Sequence, residues 1–166
     1  FAVYGYSMIA IGFGQGLTPL ISVSWGAGEH KTAMELRQLT NRILFVIGAL
    51  FALFFFILGK GYARIFGCSD GVADMVAVGF RIYTVTFLFM GYNVISSMYF
   101  TSCGDAYSSA LISSLRGIIL LLGFTFLFSA LLGMTGVWIS APATEGITAI
   151  LSVWLIARQK KKLEGR

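Results

Sequence analysis

Long uncharged stretches alternate with short charged segments along this chain. No charged residue occurs from Phe1 to Gly28, from Ile43 to Gly59, from Ile82 to Gly104, or from Gly117 to Thr144. A helix needs about 20 apolar residues to cross a hydrocarbon layer about 30 Å thick, so most of these stretches are long enough to span it. The longest one contains the sequence Leu-Gly-Met-Thr-Gly at 132–136, which is typical of a turn between two helices. The pattern therefore predicts about five membrane-spanning helices.

The predicted fold class is all-α, a polytopic transmembrane helix bundle over residues 1–157. Its helices are expected at about 3–23, 32–58, 71–102, 106–131 and 137–157, with a basic tail at 158–166. The apolar runs do not alternate with polar residues as the strands of a membrane barrel do. Thr32 and Glu35 fit a capping box at the start of the second helix, Gly104 suits a helix end, and Asp105 suits a helix start.

Composition excludes a water-soluble domain, because 57% of the residues are hydrophobic and only 11% are charged. The net charge of +5 comes from the connecting segments and does not indicate nucleic acid. Nine basic residues fall on one predicted side and three on the other: Lys31, Arg37, Arg42, Arg116, Arg158, Lys160, Lys161, Lys162 and Arg166 against Lys60, Arg64 and Arg81. Basic loops stay in the cytoplasm, so the C-terminus is expected to be cytoplasmic in a multi-pass plasma-membrane protein.

Neither catalysis nor metal binding is indicated. Cys68 and Cys103 are far apart and belong to no C-x-x-C pair, and no nucleophile–base set or metal cluster is visible. We therefore expect no enzyme activity and no cofactor. The chain opens at Phe1 without an initiator methionine and without a signal peptide, and we interpret it as an excised fragment.

Polar side chains recur at helical spacing on three of the predicted helices. They are Ser7, Gln15, Thr18 and Ser22 on the first, Thr86, Asn93, Ser97 and Thr101 on the third, and Glu145, Thr148 and Ser152 on the fifth. Lipid cannot hydrogen-bond such groups, so they are expected to face the bundle interior or a wet cavity. The alternative is that they only join helices to one another.

Glu145 is the strongest single signal, because a carboxylate within a span is costly unless it is protonated, paired or hydrated. It is expected either to bind a driving cation or to pair with a neighbouring helix, with Arg81 as a candidate partner. Arg116 is expected to snorkel to the interface or to bind the backbone ends of nearby helices. Pro19 and Pro142 are expected to bend their helices.

Three segments, taken in order, resemble the multidrug and toxic compound extrusion (MATE) exporters. The first is Gly-Gln-Gly-Leu-Thr-Pro-Leu at 14–20, followed by Trp-Gly-Ala-Gly at 25–28. The second is Cys-Gly-Asp at 103–105, followed by Ser-Ser-Leu-Arg at 113–116. The third runs from Gly133 to Glu145, where a G-x-x-G-V-W start leads to a proline and a glutamate. The similarity is closest to the bacterial drug-exporting branch of the family.

The resemblance implies a fold of twelve helices in two lobes, of which this chain would cover helices eight to twelve of the C-terminal lobe. It also implies export of lipophilic or cationic drugs in exchange for H⁺ or Na⁺, with the N-terminal lobe as the missing partner. Some members bind the driving ion through carboxylates on helices seven and ten. Helix seven is absent here and the third predicted helix has no acid in its span, so that ion site cannot be transferred.

On this interpretation Gln15, Asn93, Ser97 and Glu145 line the cavity of the second lobe, and Glu145 is the candidate for ion coupling. Tyr92 and Tyr99 are expected to contact flat cations through their ring faces. Pro19, Gly104, Arg116 and Pro142 are expected to have structural or gating roles. Two alternatives stay open. One is a lipid-linked oligosaccharide flippase of related fold, which should carry several basic residues in its cavity, and the other is a nontransporting membrane scaffold subunit.

Overall fold

The computed structural model describes residues 1–164, which fold almost entirely into helices. The helices are α1 (Ala2–Gly26), α2 (His30–Ile65), α3 (Asp70–Tyr83), α4 (Val85–Ser102), α5 (Ala106–Ser114), α6 (Leu120–Leu132) and α7 (Met134–Glu164). A π-helical turn, Leu115–Ile119, joins α5 to α6. No strand occurs within residues 1–164. The prediction of an all-α bundle is confirmed.

Four helical segments are long and apolar enough to cross a membrane. They are α1, α2, the continuous rod Ala106–Leu132 that contains α5 and α6, and α7. The pair α3 and α4, bent by 48°, makes a fifth span if it is counted as one. The structure thus agrees with the expectation of about five spans.

Helix α4 is the centre of the bundle, since α1, α2, α5 and α7 all pack against it. The larger apolar cluster joins α1, α2, α4, α5 and α7 and includes Ile21, Leu44, Ile95, Phe100, Ile112 and Leu155. A smaller cluster around Tyr6, Phe55 and Phe87 joins α1, α2 and α4. Burial of these side chains fixes the central helix, and with it the polar residues that α4 carries.

The side chain of Tyr6 crosses between helices where two glycines leave space. Its hydroxyl donates a hydrogen bond to the backbone carbonyl of Leu44, at 3.0 Å. A Cβ atom on Gly48 would lie 2.5 Å from the carbonyl oxygen of Phe87 and 2.9 Å from the Tyr6 hydroxyl. A Cβ on Gly91 would lie 2.5 Å from the same hydroxyl. These two glycines therefore set the close packing of α1, α2 and α4.

The outer surface of the bundle is apolar. Helix α2 exposes a row of large side chains that includes Phe45, Val46, Leu50, Leu53 and Phe54, and α6 has no buried residue. Monomeric soluble proteins rarely expose apolar patches of this extent. This face of α2 is at the periphery of the bundle, while its opposite face buries Leu44, Gly48 and Phe55 against the bundle.

The helix expected over 71–102 is divided at Thr84. Neither proline nor glycine stands at the break, where sequence rules would place one. Instead the Thr84 hydroxyl donates to the carbonyl of Arg81, at 3.3 Å, and the N–H of Phe87 donates to the carbonyl of Thr84, at 3.1 Å. A threonine hydroxyl that bonds back to the preceding turn bends a helix, which accounts for the 48° angle.

Two further boundaries differ from the sequence expectation. Helix α2 begins at His30, with Glu29 at the N-cap, so Thr32 does not form a capping box. The segment expected as a separate basic tail continues α7 as far as Glu164, and the last two residues lie outside the described part of the chain. The Gly104–Asp105 boundary is as expected: Gly104 has a φ of +78°, in the region that favours glycine.

Loss of the Asp105 cap is expected to weaken the start of α5. Its carboxylate accepts hydrogen bonds from the N–H of Ser108, at 3.1 Å, and from the hydroxyl of Ser108, at 2.7 Å. We expect Asp105→Ala to lower the free energy of unfolding by about 0.5–2 kcal/mol, measured by chemical denaturation in detergent. Asp74→Ala is the control, because Asp74 lies inside α3 and loses only an exposed ion pair with Lys60, which contributes little; an equal loss in both variants would contradict the capping role.

Candidate functional site

Two charged side chains lie halfway along the membrane spans. At a rise of 1.5 Å per residue, Glu145 is about 16 Å along α7 from Met134, and Arg116 is about 15 Å along the rod that starts at Ala106. Half of the hydrocarbon thickness is also about 15 Å. Both residues are therefore near the membrane midplane.

These two residues form a buried ion pair. The Nη2 and Nε atoms of Arg116 donate to Oε1 of Glu145, at 2.7 and 3.2 Å. The side chains are only 18% and 9% exposed. An ion pair with little access to water persists only when its remaining polar atoms also find partners.

Asn93 supplies the remaining contacts of the carboxylate. Its Nδ2 donates to Oε2 of Glu145, at 2.6 Å, and to the backbone carbonyl of the same residue, at 2.9 Å. The hydroxyl of Ser152 donates to Oδ1 of Asn93, at 3.2 Å. We call Asn93, Arg116, Glu145 and Ser152 the midplane network. It connects α4 and α7 with the π-helical turn. A change in the charge of the Glu145 carboxylate would therefore alter hydrogen bonds in all three segments.

The π-helical turn, Leu115–Ile119, contains Arg116 and places it in the network. Such a turn holds one residue more than an α-helical turn and changes the direction in which the neighbouring side chains point. Helix α5 and the turn lie beside α7, and Arg116 bridges the gap to Glu145. Single π-helical turns inside α-helices occur often at functional sites.

A cavity of about 310 Å³ opens beside the ion pair. Its wall contains both charged residues together with Tyr83, Thr86, Ser113 and Thr144, and apolar side chains such as Met90. Ser113 connects this wall to Ser97 of α4, since their hydroxyl oxygens are 2.8 Å apart. Ser97 in turn lies 3.1 Å from the hydroxyl of Ser109. The cavity thus combines one paired carboxylate, hydroxyl groups and apolar surface.

The structure places the other predicted cavity residues elsewhere. Gln15 is exposed on α1, and no side-chain hydrogen bond to it occurs within residues 1–164. Tyr92 and Tyr99 lie outside the cavity and face Arg37, whose guanidinium carbon is 5.9 and 5.5 Å from the two ring centroids. Sequence reasoning missed Arg37 here, although it is only 5% exposed.

The expected partner of Glu145 was wrong, and so was the expected position of Arg116. Arg81 is exposed on α3 and lines a separate pocket with Lys60 and Asp74. Arg116 does not snorkel, because Glu145 satisfies its charge at the midplane. Which arginine reaches Glu145 depends on how the third predicted span, with Arg81, and the fourth, with Arg116, are rotated about their axes. The spacing of residues within one helix does not determine that rotation.

Both prolines lie within continuous helices. Pro19 is in α1 and Pro142 is in α7, one turn before Glu145. Because proline has no N–H, the carbonyl of Trp138 lacks its usual donor on the next turn. In the following turn the Thr144 hydroxyl donates to the carbonyl of Ser140, at 2.8 Å. The expected bends and gating roles stay predictions.

Chemically, the network is one carboxylate whose charge is balanced by one guanidinium. Oε1 of Glu145 is occupied by Arg116, and a proton, a metal cation or an organic cation entering the cavity would compete for the same negative charge. No group of three or more His, Cys, Asp and Glu residues suited to hold a metal ion occurs within residues 1–164. The site is suited to reversible cation exchange in a bundle that spans the membrane.

The fold is thus that of a polytopic helical membrane protein, and its buried ion pair is a candidate functional site. The MatE family model matches residues 2–127, and the chain belongs to the MatE family. The resemblance drawn from its three motifs is thereby confirmed.

The chain is also similar to a curated transporter. Multidrug export protein MepA of Staphylococcus aureus (strain bovine RF122 / ET3-1) is 18% identical over 159 residues, which cover 94% of this chain and 34% of that protein. The chain thus spans about a third of the length of the relative it matches. No solved structure matches the chain significantly.

Proposed function

We propose that this chain is the C-terminal lobe portion of a multidrug exporter and that the Arg116–Glu145 pair couples cation entry to transport. Family membership and similarity to a protein named for multidrug export support the activity. The single observation that supports the coupling role is the ion pair at the midplane, beside a cavity. Transporter sites lie near the bilayer midplane at the contact between repeats. The rest of the polypeptide, including an N-terminal lobe and a seventh helix, would complete the cavity.

The proposed cycle rests on competition for one carboxylate. When H⁺ or Na⁺ reaches Glu145, the attraction between Glu145 and Arg116 weakens and the guanidinium is released. Loss of this contact frees α7 from the π-helical turn, which would favour the opposite orientation of the lobes. A driving ion shifts this equilibrium only if it binds one orientation more tightly than the other. The proposal therefore requires that Arg116 contacts Glu145 in one orientation of the lobes and not in the other.

The proposed substrates are small lipophilic or cationic drugs. The cavity wall is mostly apolar, with Tyr83 available for contact with a flat cation and Ser113 and Thr86 for hydrogen bonds. Gln15 and Tyr92 remain candidates for surfaces that the absent lobe would complete, whereas Tyr99 is fully buried and offers no free ring face to a substrate. Within residues 1–164, the exposed position of Gln15 leaves it accessible to such a lobe.

The proposed location is the bacterial cytoplasmic membrane, with the C-terminus in the cytoplasm. Removing Arg116 from the loop count, because it is buried at the midplane, still leaves eight basic residues on the side of the C-terminus against three on the other. The positive-inside rule then supports the cytoplasmic orientation.

An exporter is favoured over a flippase for diphosphate-linked substrates. Recognition of a diphosphate requires cations that are not already neutralised. In the described cavity Arg116 is paired with Glu145, and Arg81 lies in another pocket. The scaffold alternative gives no reason for an ion pair placed at the midplane, where its desolvation is costly.

Glu145→Gln in the full-length protein tests the coupling role. We expect drug efflux from cells or proteoliposomes to fall by at least about tenfold, a typical loss when a positioned proton-transfer group is removed. Glu164→Gln on the same helix is the matched control, because Glu164 is exposed and its one ion pair within residues 1–164 is with Lys160. Glu145→Asp keeps the charge and should retain part of the activity. Unchanged efflux by Glu145→Gln at normal protein abundance would contradict the proposal.

A further inference from the structure

A second cleft, of about 610 Å³, lies at the end of the bundle where α7 becomes basic. It is bounded by the end of α4, the start of α5 and the last turns of α7. Its wall includes the apolar or aromatic residues Trp25, Phe100, Tyr107 and Leu155, and the cations Arg158 and Lys162. The cations of the cleft lie about 20 Å or more along α7 from Glu145, and the cleft shares no lining residue with the cavity beside the ion pair.

The cleft carries an excess of positive charge. Arg158 and Lys162 are one turn apart on α7, and neither has an acidic partner within 4.0 Å among the described residues. By contrast, Lys160 pairs with Glu164 at 3.6 Å. Asp105 also lines the cleft, but its carboxylate accepts two hydrogen bonds from Ser108. An anion in the cleft would therefore meet two unpaired cations and one carboxylate that is already engaged.

Arg158 is at the depth of lipid headgroups, and Lys162 lies one turn further out. Arg158 is about 36 Å along α7 from Met134, a few ångströms past a hydrocarbon layer about 30 Å thick. Its guanidinium carbon is 5.6 Å from the ring centroid of Trp154, which is 55% exposed. Tryptophan prefers the membrane–water interface, and Trp25 lies in the same wall. Charge and aromatic side chains thus coincide at the level where phospholipid phosphates lie.

We propose that this cleft binds one anionic phospholipid, with its phosphate between Arg158 and Lys162 and an acyl chain against the accessible ring surfaces of Trp25 and Tyr107. Basic pockets between spans bind anionic headgroups, because lysine and arginine attract the phosphate while the apolar wall takes up the chain. A free phosphate would gain nothing from the apolar wall, so the lipid is the expected occupant. The bound lipid would hold α7 against the loop between α4 and α5.

The test compares two double variants of the full-length protein that lose the same charge on the same helix. Phosphatidylglycerol is titrated into detergent-solubilised protein while binding is counted by native mass spectrometry and the melting temperature is recorded. Arg158→Gln with Lys162→Gln should weaken binding about 30-fold, from the contribution of two basic residues, and abolish the rise in melting temperature. Lys160→Gln with Lys161→Gln, outside the cleft, should bind like the unaltered protein.

Three results would overturn the lipid site. Equal loss in both double variants would mean that the lipid responds only to the net charge of α7. Equal stabilisation by phosphatidylcholine would show that anionic charge is not recognised. Equal stabilisation by inorganic phosphate, at matched ionic strength, would mean a small-anion site. If the first double variant does not fold, Lys162→Glu against Lys161→Glu provides the same comparison.

Discussion

Arg116→Met is expected to lower the free energy of unfolding of the full-length protein by about 3–5 kcal/mol. Removing one partner of a buried ion pair leaves the other charge uncompensated in a low-dielectric interior. Glu145 is only 9% exposed at its side chain, and Asn93 alone would remain to stabilise its carboxylate. Glu145→Met should cost a similar amount, because the guanidinium of Arg116 then lacks its partner. Unfolding by dodecyl sulfate in mixed micelles, followed by circular dichroism, measures both.

The double variant, Arg116→Met with Glu145→Met, separates stability from transport. Replacing both members of a buried pair by apolar residues of similar size is often neutral or stabilising. We therefore expect the double variant to recover most of the stability that each single variant loses and to remain inactive in efflux. A double variant that loses the sum of the single effects would contradict the direct pairing, and one that is stable and active would remove the pair from the mechanism.

Gly48→Ala is expected to lower the free energy of unfolding by about 1–3 kcal/mol, the usual cost of overpacking a filled core. The added methyl group would meet the backbone carbonyl of Phe87 and the hydroxyl of Tyr6. A backbone atom of the central helix cannot move aside as a flexible side chain can. The hydrogen bond from Tyr6 to Leu44 would be lost or lengthened as α2 moves away.

Gly61→Ala on the same helix is the matched control for Gly48→Ala. Nothing lies within 4 Å of a Cβ atom built on Gly61, and alanine has the higher helix propensity. This control should be neutral or slightly stabilising in the same unfolding experiment. Equal destabilisation by both substitutions would mean that helix propensity, rather than the contact with α4, determines the result.

The sequence predicted the helices well because the signals for them are local. Long uncharged stretches determine the number of spans, and Gly104 with Asp105 marks a boundary through side-chain and backbone preferences that act within a few residues. The break at Thr84 escaped prediction because threonine is common within membrane helices and bends only some of them. Helix α2 begins at His30 and already includes Thr32. A capping sequence therefore does not by itself determine the residue at which a helix starts.

The candidate site was predicted only in part, since its geometry depends on contacts between helices. Glu145 and Asn93 stand out in the sequence because each is costly in lipid, and the structure joins them at 2.6 Å. The choice of Arg116 over Arg81 depends on the π-helical turn, for which the sequence Leu-Arg-Gly-Ile-Ile at 115–119 gives no recognised signal. The contact of Tyr99 with Arg37 could not be predicted from the sequence either, because the two residues are on different helices.

The extra residue in Leu115–Ile119 has a consequence for reading related sequences. A relative with an uninterrupted α-helix here would need one residue fewer between the Asp105 cap and the Gly133 turn. If the two sequences are aligned without a gap, every position on one side of the insertion is displaced by about 100° around the helix axis. The residue then placed opposite Glu145 would be the wrong one, and the arginine could be overlooked although it is present.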